Sequence, residues 1–298
     1  MFLKDHMRKV LKGTAFAGVL AAALIPAASG AAPAKDEIPN FTPARDTSWQ
    51  VNFWDYILPP PPGAAHGPIL TDPAYPYNSQ IQNGGLFRGG DFQVAIVNAK
   101  DPVLKPWAAK MMEERNQDLL AGKHTEGFVA QSRCWPGGVP GQDLFLEPVY
   151  FLQKPNEVVI MWQRNNIVRH VKLTDKHAVN VKPSWFGESI GHYENGDTLV
   201  VDTIGIASGK YHNVDNFGTP HTDKLHTVER FTIAKDGKTL NAIITVEDPD
   251  TFNAPLTLRQ EWRRTNLEYE ESICAEDGGR NPLGYKLEPI PSAAKADF

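Results

Sequence analysis

The stretch GESIGHYENGDTLVVDTI, residues 187–204, decides the fold. Residues 187–193 and 198–204 are two extended runs, and Glu194-Asn195-Gly196-Asp197 between them is an Asn-Gly turn of the kind that joins hairpin strands. Working outward, the same period of two recurs. Upstream lie 148–153, 157–163 and 167–173, separated by Lys154-Pro155-Asn156 and Arg164-Asn165-Asn166; downstream lie 227–233, 240–247, 256–264 and 269–274, with Lys235-Asp236-Gly237-Lys238 as a further tight turn. Sequential strands joined by hairpins predict a mainly β chain, an antiparallel meander whose eight or nine strands close into a barrel or half-barrel. No βαβ alternation appears, which excludes a Rossmann or TIM architecture.

Before the strands the chain changes character twice. Between Asp101 and Gly122, Leu104, Trp107, Ala108, Met111, Met112, Leu119 and Leu120 recur at three and four with Glu113, Glu114 and Arg115 between them, so one N-terminal helix is expected with its Met and Leu stripe in the core. Residues 32–100 are rich in breakers, Pro59-Pro60-Pro61-Pro62-Gly63 among them, yet carry Trp49, Phe53, Trp54, Tyr56, Tyr75 and Tyr77. So many rings predict an extended arm packed on the domain rather than a free linker. The domain proper is then 101–298.

The first 31 residues read as a signal peptide. Lys4, Arg8, Lys9 and Lys12 precede an apolar stretch from Gly13 to Pro26, and the small residues Ala28 to Ala32 offer a cleavage site. A periplasmic or secreted protein with no membrane insertion after cleavage is expected. Removing residues 1–30 takes the formal charge from −5 to −8, and no basic run offsets it, which argues against nucleic acid as a partner. In an oxidising compartment the chain's two cysteines, Cys134 and Cys274, are expected to form a disulfide.

Polar residues that share a strand face with apolar ones are the candidates for chemistry. On Leu225, Thr227, Glu229, Phe231 and Ile233 the carboxylate of Glu229 lies on the apolar side; Gln260 sits among Leu256, Leu258 and Trp262, Glu271 follows Leu267 and Tyr269, and Ile190 shares a face with His192. An inward carboxylate is either paired, with Arg133, Arg169 or Arg230 as available cations, or has a raised pKa suited to acid–base work. The densest polar cluster runs through His212, Asp215, His221, Asp223, His226 and Glu229, three histidines and three carboxylates within eighteen residues. It offers ligands for a divalent metal, at a spacing that is not diagnostic, or a metal-free pair of His221 or His226 with Glu229. There is no phosphate loop, Gly-x-Ser-x-Gly elbow, His-Glu-x-x-His or Cys-x-x-Cys.

Three segments carry a resemblance. Ser132 to Pro140 (SRCWPGGVP), Ser189 to Tyr193 continuing into Gly196 to Thr203 (GDTLVVDT), and His221 to Phe231 (HTDKLHTVERF) resemble a large family of exported bacterial proteins, most of them uncharacterised. The resemblance spans roughly residues 133–274, and it implies an exported barrel-like domain similar to the calycins, the lipocalin-like barrels. Trp135 and Gly137 depart from the more Pro-rich run expected after the cysteine. The resemblance carries no reaction with it.

Two functions fit. One is an exported enzyme acting on a small, partly apolar or aromatic molecule in the barrel, with His192, His221, His226 and Glu229 as acid, base or ligands and Tyr193, Arg230, Gln260 and Trp262 binding the substrate. The other is a non-catalytic periplasmic carrier using the same cavity. Convergence of Glu229 and at least two of His192, His212, His221 and His226 on one pocket favours the enzyme; dispersal favours the carrier.

Overall fold

Among the described residues nine strands close into a single barrel in which every strand pairs with its neighbours in chain order and β1 returns to β9. The structure, a computed structural model, describes residues 38–43, 47–51, 58–75, 96–121, 134–144, 147–215 and 217–272, all within one compact unit covering residues 33–298. The strands are β1 (Ser48–Val51), β2 (Val149–Lys154), β3 (Glu157–Trp162), β4 (Ile167–Leu173), β5 (Glu188–Glu194), β6 (Thr198–Ile204), β7 (His226–Ile233), β8 (Thr239–Glu247) and β9 (Leu256–Thr265). The helix α1 (Pro106–Leu120) starts five residues later than the Asp101 expected from sequence. Among the described residues no helix is long and apolar enough to cross a membrane.

The strands fall close to their expected bounds, and the β5–β6 turn has the predicted chemistry: Asn195 and Gly196 take φ of 55° and 71°, the left-handed pair that a type I′ hairpin needs. Three expectations are corrected. The expected ninth strand, 269–274, does not form over its described residues 269–272. Residues 266–272 are outside any strand and Glu271 is exposed, because β1, from the arm, occupies the slot between β2 and β9 with Trp49 opposite both Val149 and Arg264. The meander is also not wholly antiparallel. β4 and β5 pair in parallel, Val171 opposite Ser189, so residues 174–187 must run back along the barrel before β5 can start. Third, 32–100 is not merely a packed arm, since four of its residues are barrel wall. The rest of its described part does pack: Ile69 is fully buried, and the Thr257 amide donates to the His66 carbonyl. Phe53, Trp54, Tyr56 and Tyr77 lie outside the described residues, as does the expected signal peptide.

The inward positions follow the register. They are Trp49 and Val51; Val149, Phe151 and Gln153; Val158, Ile160 and Trp162; Arg169 and Val171; Ser189, Gly191 and Tyr193; Leu199, Val201 and Thr203; Thr227, Glu229 and Phe231; Leu240, Ala242, Ile244 and Val246; Leu256, Leu258, Gln260 and Trp262. Gly191 has to be glycine, because a Cβ there would lie 2.7 Å from the Val200 carbonyl oxygen and 2.9 Å from Val171 Cγ1. The two ends of the barrel are unlike. At one, where the β5–β6 and β7–β8 hairpins turn, Phe41 stacks on Phe151 at 4.7 Å, its amide donates to Gln153 Oε1 and its carbonyl accepts the Trp49 indole N–H, so the arm plugs this mouth. The other end is covered by α1, the 207–225 loop and the 134–144 loop. There Arg115 donates to the Gly218 and Lys210 carbonyls, and Trp107 Nε1 donates to the Asp250 carbonyl.

Candidate functional site

Polar residues gather inside the barrel toward the helix end. β4 contributes Arg169, β5 Ser189, β6 Thr203 and β7 Thr227 and Glu229, all inward and at most 3% exposed. The Arg169 fork is satisfied in full view of these neighbours: Nε donates to Ser189 Oγ at 3.0 Å, Nη1 to Glu229 Oε1 at 2.8 Å, and Nη2 both to Thr203 Oγ1 at 2.8 Å and to Glu229 Oε2. This is a bidentate arginine–carboxylate pair with no water contact, so its geometry has to repay the desolvation of both charges. Burial disfavours the guanidinium charge, but Glu229 and then Asp143 outweigh that, and its pKa is raised.

Asp143 is the residue that sequence reasoning missed. It sits on a short 3-10 helix, Gly141–Leu144, that follows the cis Val139-Pro140 bond, and it is 1% exposed with Oδ2 3.7 Å from Arg169 Nη1. Among the described residues no N–H or O–H donates to either of its oxygens. Burial first, and then the charge of Glu229 and a hydrogen bond with it, push the Asp143 carboxyl well above the usual carboxylate range. Both effects favour the neutral form of the Asp143 carboxyl over its charged form.

More polar atoms in this region lack partners. Trp162 Nε1, Thr227 Oγ1 and Gln260 Nε2, all at inward positions, and Gln142 Nε2 beside Asp143, are buried without an acceptor or donor, on side chains no more than 2% exposed. A buried polar group left unmet costs about 1–3 kcal/mol. Several of them lie on one interior, where Val, Ile, Leu and aromatic residues surround the Arg169, Ser189, Thr203 and Glu229 cluster.

The expected site residues distribute as follows. Glu229 is inward and fully buried, and its partner is Arg169, one of the three cations named for it. Gln260 and Trp262 are inward and buried, and Tyr193 is inward and half-buried, its hydroxyl accepting from Gln153 Nε2 at 3.0 Å. Arg230 points outward and pairs with Glu194. His192 is on the outer face as well, 57% exposed and 2.9 Å from Glu194. It does share a face with Ile190, but the inner face of β5 is the Ser189, Gly191, Tyr193 set, whose small members leave room for Arg169. His226 lies outside too, between Asp202 at 3.1 Å and Glu247 at 3.3 Å, with His177 2.9 Å from the same Asp202 oxygen. Residues three apart on a strand face opposite ways, so His226 and Glu229 cannot meet.

His221 is buried beyond the strand ends, 6.5 Å from His212, which stacks on Trp185 at 3.7 Å. Burial, with His221 adding to it, pushes the His212 imidazole down to about 4, and burial lowers His221 also, so both rings are neutral at pH 7. Asp215 accepts from Phe217 and Thr219 within its own loop. The expected His212–Glu229 metal cluster is thus scattered over three places, and among the described residues no group of His, Cys, Asp and Glu is arranged to hold a metal. Cys134 opens the 134–144 loop, while Cys274 lies outside the described residues. No protein-family model and no curated protein matches the chain.

Proposed function

We propose that this chain is an exported binding protein that holds a small, partly apolar or aromatic molecule inside its barrel. The observation that carries this reading is the set of unmet polar atoms at Trp162, Thr227 and Gln260 within a strand-enclosed interior that is largely apolar away from the Arg169–Glu229 cluster. Barrels of eight or so strands are wide enough for one such ligand. Export rests on the basic and apolar leader and on the resemblance to an exported calycin-like family; the oxidising destination and the single possible cysteine pair support a Cys134–Cys274 disulfide. The dispersal of His192, His221 and His226 away from Glu229 removes the histidine chemistry that favoured an enzyme.

The test uses 2-naphthol, an uncharged ring system that accepts excitation from tryptophan, because Trp49, Trp162 and Trp262 all face the interior. Titration should quench tryptophan emission saturably with one probe per chain. Unchanged emission at saturating probe refutes a ligand-binding interior.

One observation favours a second reading, acid–base catalysis in the same place: the buried Asp143 carboxyl, pushed well above the usual carboxylate range, lies beside the Arg169–Glu229 pair, 3.7 Å from Arg169. In that case Asp143→Asn binds substrate but does not turn it over. Binding without any conversion of bound compounds by the native protein leaves the carrier.

A further inference from the structure

The unmet groups differ in kind, and the difference reports on what fills the interior; this step rests on the barrel being a ligand cavity. Trp162 Nε1 and Gln260 Nε2 inside the barrel, with Gln142 Nε2 at its covered end, are all donors. Their identity is secure. Indole nitrogen only donates, while Gln142 Oε1 accepts the Gly137 amide at 3.0 Å and Gln260 Oε1 the Glu261 amide at 3.0 Å, so flipping either side chain would face N–H against N–H. Thr227 Oγ1 can serve either way.

The positive charge of Arg169, by contrast, is fully used. Arg169 is engaged by Glu229 through two nitrogens and by Ser189 and Thr203 through hydroxyls. An anionic group entering beside Glu229 and Asp143 would meet their carboxyls, with the adjacent cation Arg169 already paired. A purely apolar body would leave every donor unmet. We infer that the ligand is uncharged and carries carbonyl, ether or hydroxyl oxygens on an apolar or aromatic frame, the oxygens accepting from Trp162 and Gln260.

Three near-isosteric probes separate the alternatives: acetophenone, with a neutral carbonyl; benzoate, an anion; and cumene, with no oxygen. By titration calorimetry on the native chain at pH 7, acetophenone should bind at least tenfold more tightly than either of the others. Trp162→Phe and Gln260→Met should each weaken acetophenone roughly three- to tenfold and leave cumene within about twofold. Benzoate or cumene binding as tightly as acetophenone overturns the proposed ligand class while leaving a binding cavity standing. Failure of all three to bind overturns the cavity itself and the ligand class with it.

Discussion

Removing the charge of Glu229 should cost far less than the burial of Arg169 suggests, because Asp143 is placed to take over. Breaking a buried ion pair by deleting one partner typically costs about 3–5 kcal/mol, since the other charge is left uncompensated. In Glu229→Gln the like charge that adds to burial in raising the Asp143 carboxyl disappears, and its Oδ2 already stands 3.7 Å from Arg169 Nη1. At that distance and an effective dielectric near 20 the attraction is about 4 kcal/mol, enough to draw the proton off Asp143 and repay most of the loss. Glu229→Gln alone is therefore expected to lose about 1–2 kcal/mol, Asp143→Asn alone to stay within about 1 kcal/mol of the native protein at pH 5, and the double variant to lose about 3–5 kcal/mol.

The pH dependence has a definite sign. Asp143 is raised in the folded state above its ordinary 3.8, so the folded chain holds the extra proton. That contribution is complete below the unfolded value and is lost as pH rises toward the folded one, by about 1.4 kcal/mol per pH unit. Asp143→Asn lacks this slope and gains on the native protein as pH rises; in Glu229→Gln the slope disappears or reverses. Urea unfolding of the four proteins across pH 4–8 measures both effects. Additive losses, or a native protein whose stability relative to Asp143→Asn does not fall with pH, would refute the shared-proton account.

Other outcomes follow from the same placements. His192→Ala and His226→Ala, on the outer face beside carboxylates, should each change stability by less than about 1 kcal/mol and leave probe binding untouched, read by the naphthol titration. Phe41→Ala removes the fully buried ring stacked on Phe151 and should cost about 3–5 kcal/mol in chemical unfolding, with a smaller loss indicating that the arm is not a plug. Thiol titration of the denatured, unreduced protein should count no free thiol at Cys134 or Cys274, and reduction of a bridge closing about 140 residues should cost on the order of 5 kcal/mol. Gly191→Ala should destabilise by about 1–3 kcal/mol, judged by thermal unfolding, because its methyl meets the Val200 carbonyl.

Local pattern by itself determined the class of fold, eight of the nine strands within a residue or two, and the inward sets of β7 and β9. Alternation along Leu225, Thr227, Glu229, Phe231 is a local property, so the burial of Glu229 was legible before any fold was known. The same parity, applied to His226, would have excluded that histidine as a partner of Glu229. What needed the tertiary structure were the relations between distant segments. β1 is four residues with no period to detect, and only the open slot between β2 and β9 makes it a strand. The parallel joint at β4–β5 depends on where residues 174–187 run, which no turn signal specifies. Which of β5's faces is the inner one followed from the space that Arg169 occupies rather than from hydrophobicity, and this put His192 outside. Asp143, in a Gly-Gln-Asp loop that reads as solvated, becomes a buried acid only because the barrel brings Arg169 and Glu229 beneath it, and a carboxyl's protonation depends on its neighbours in space.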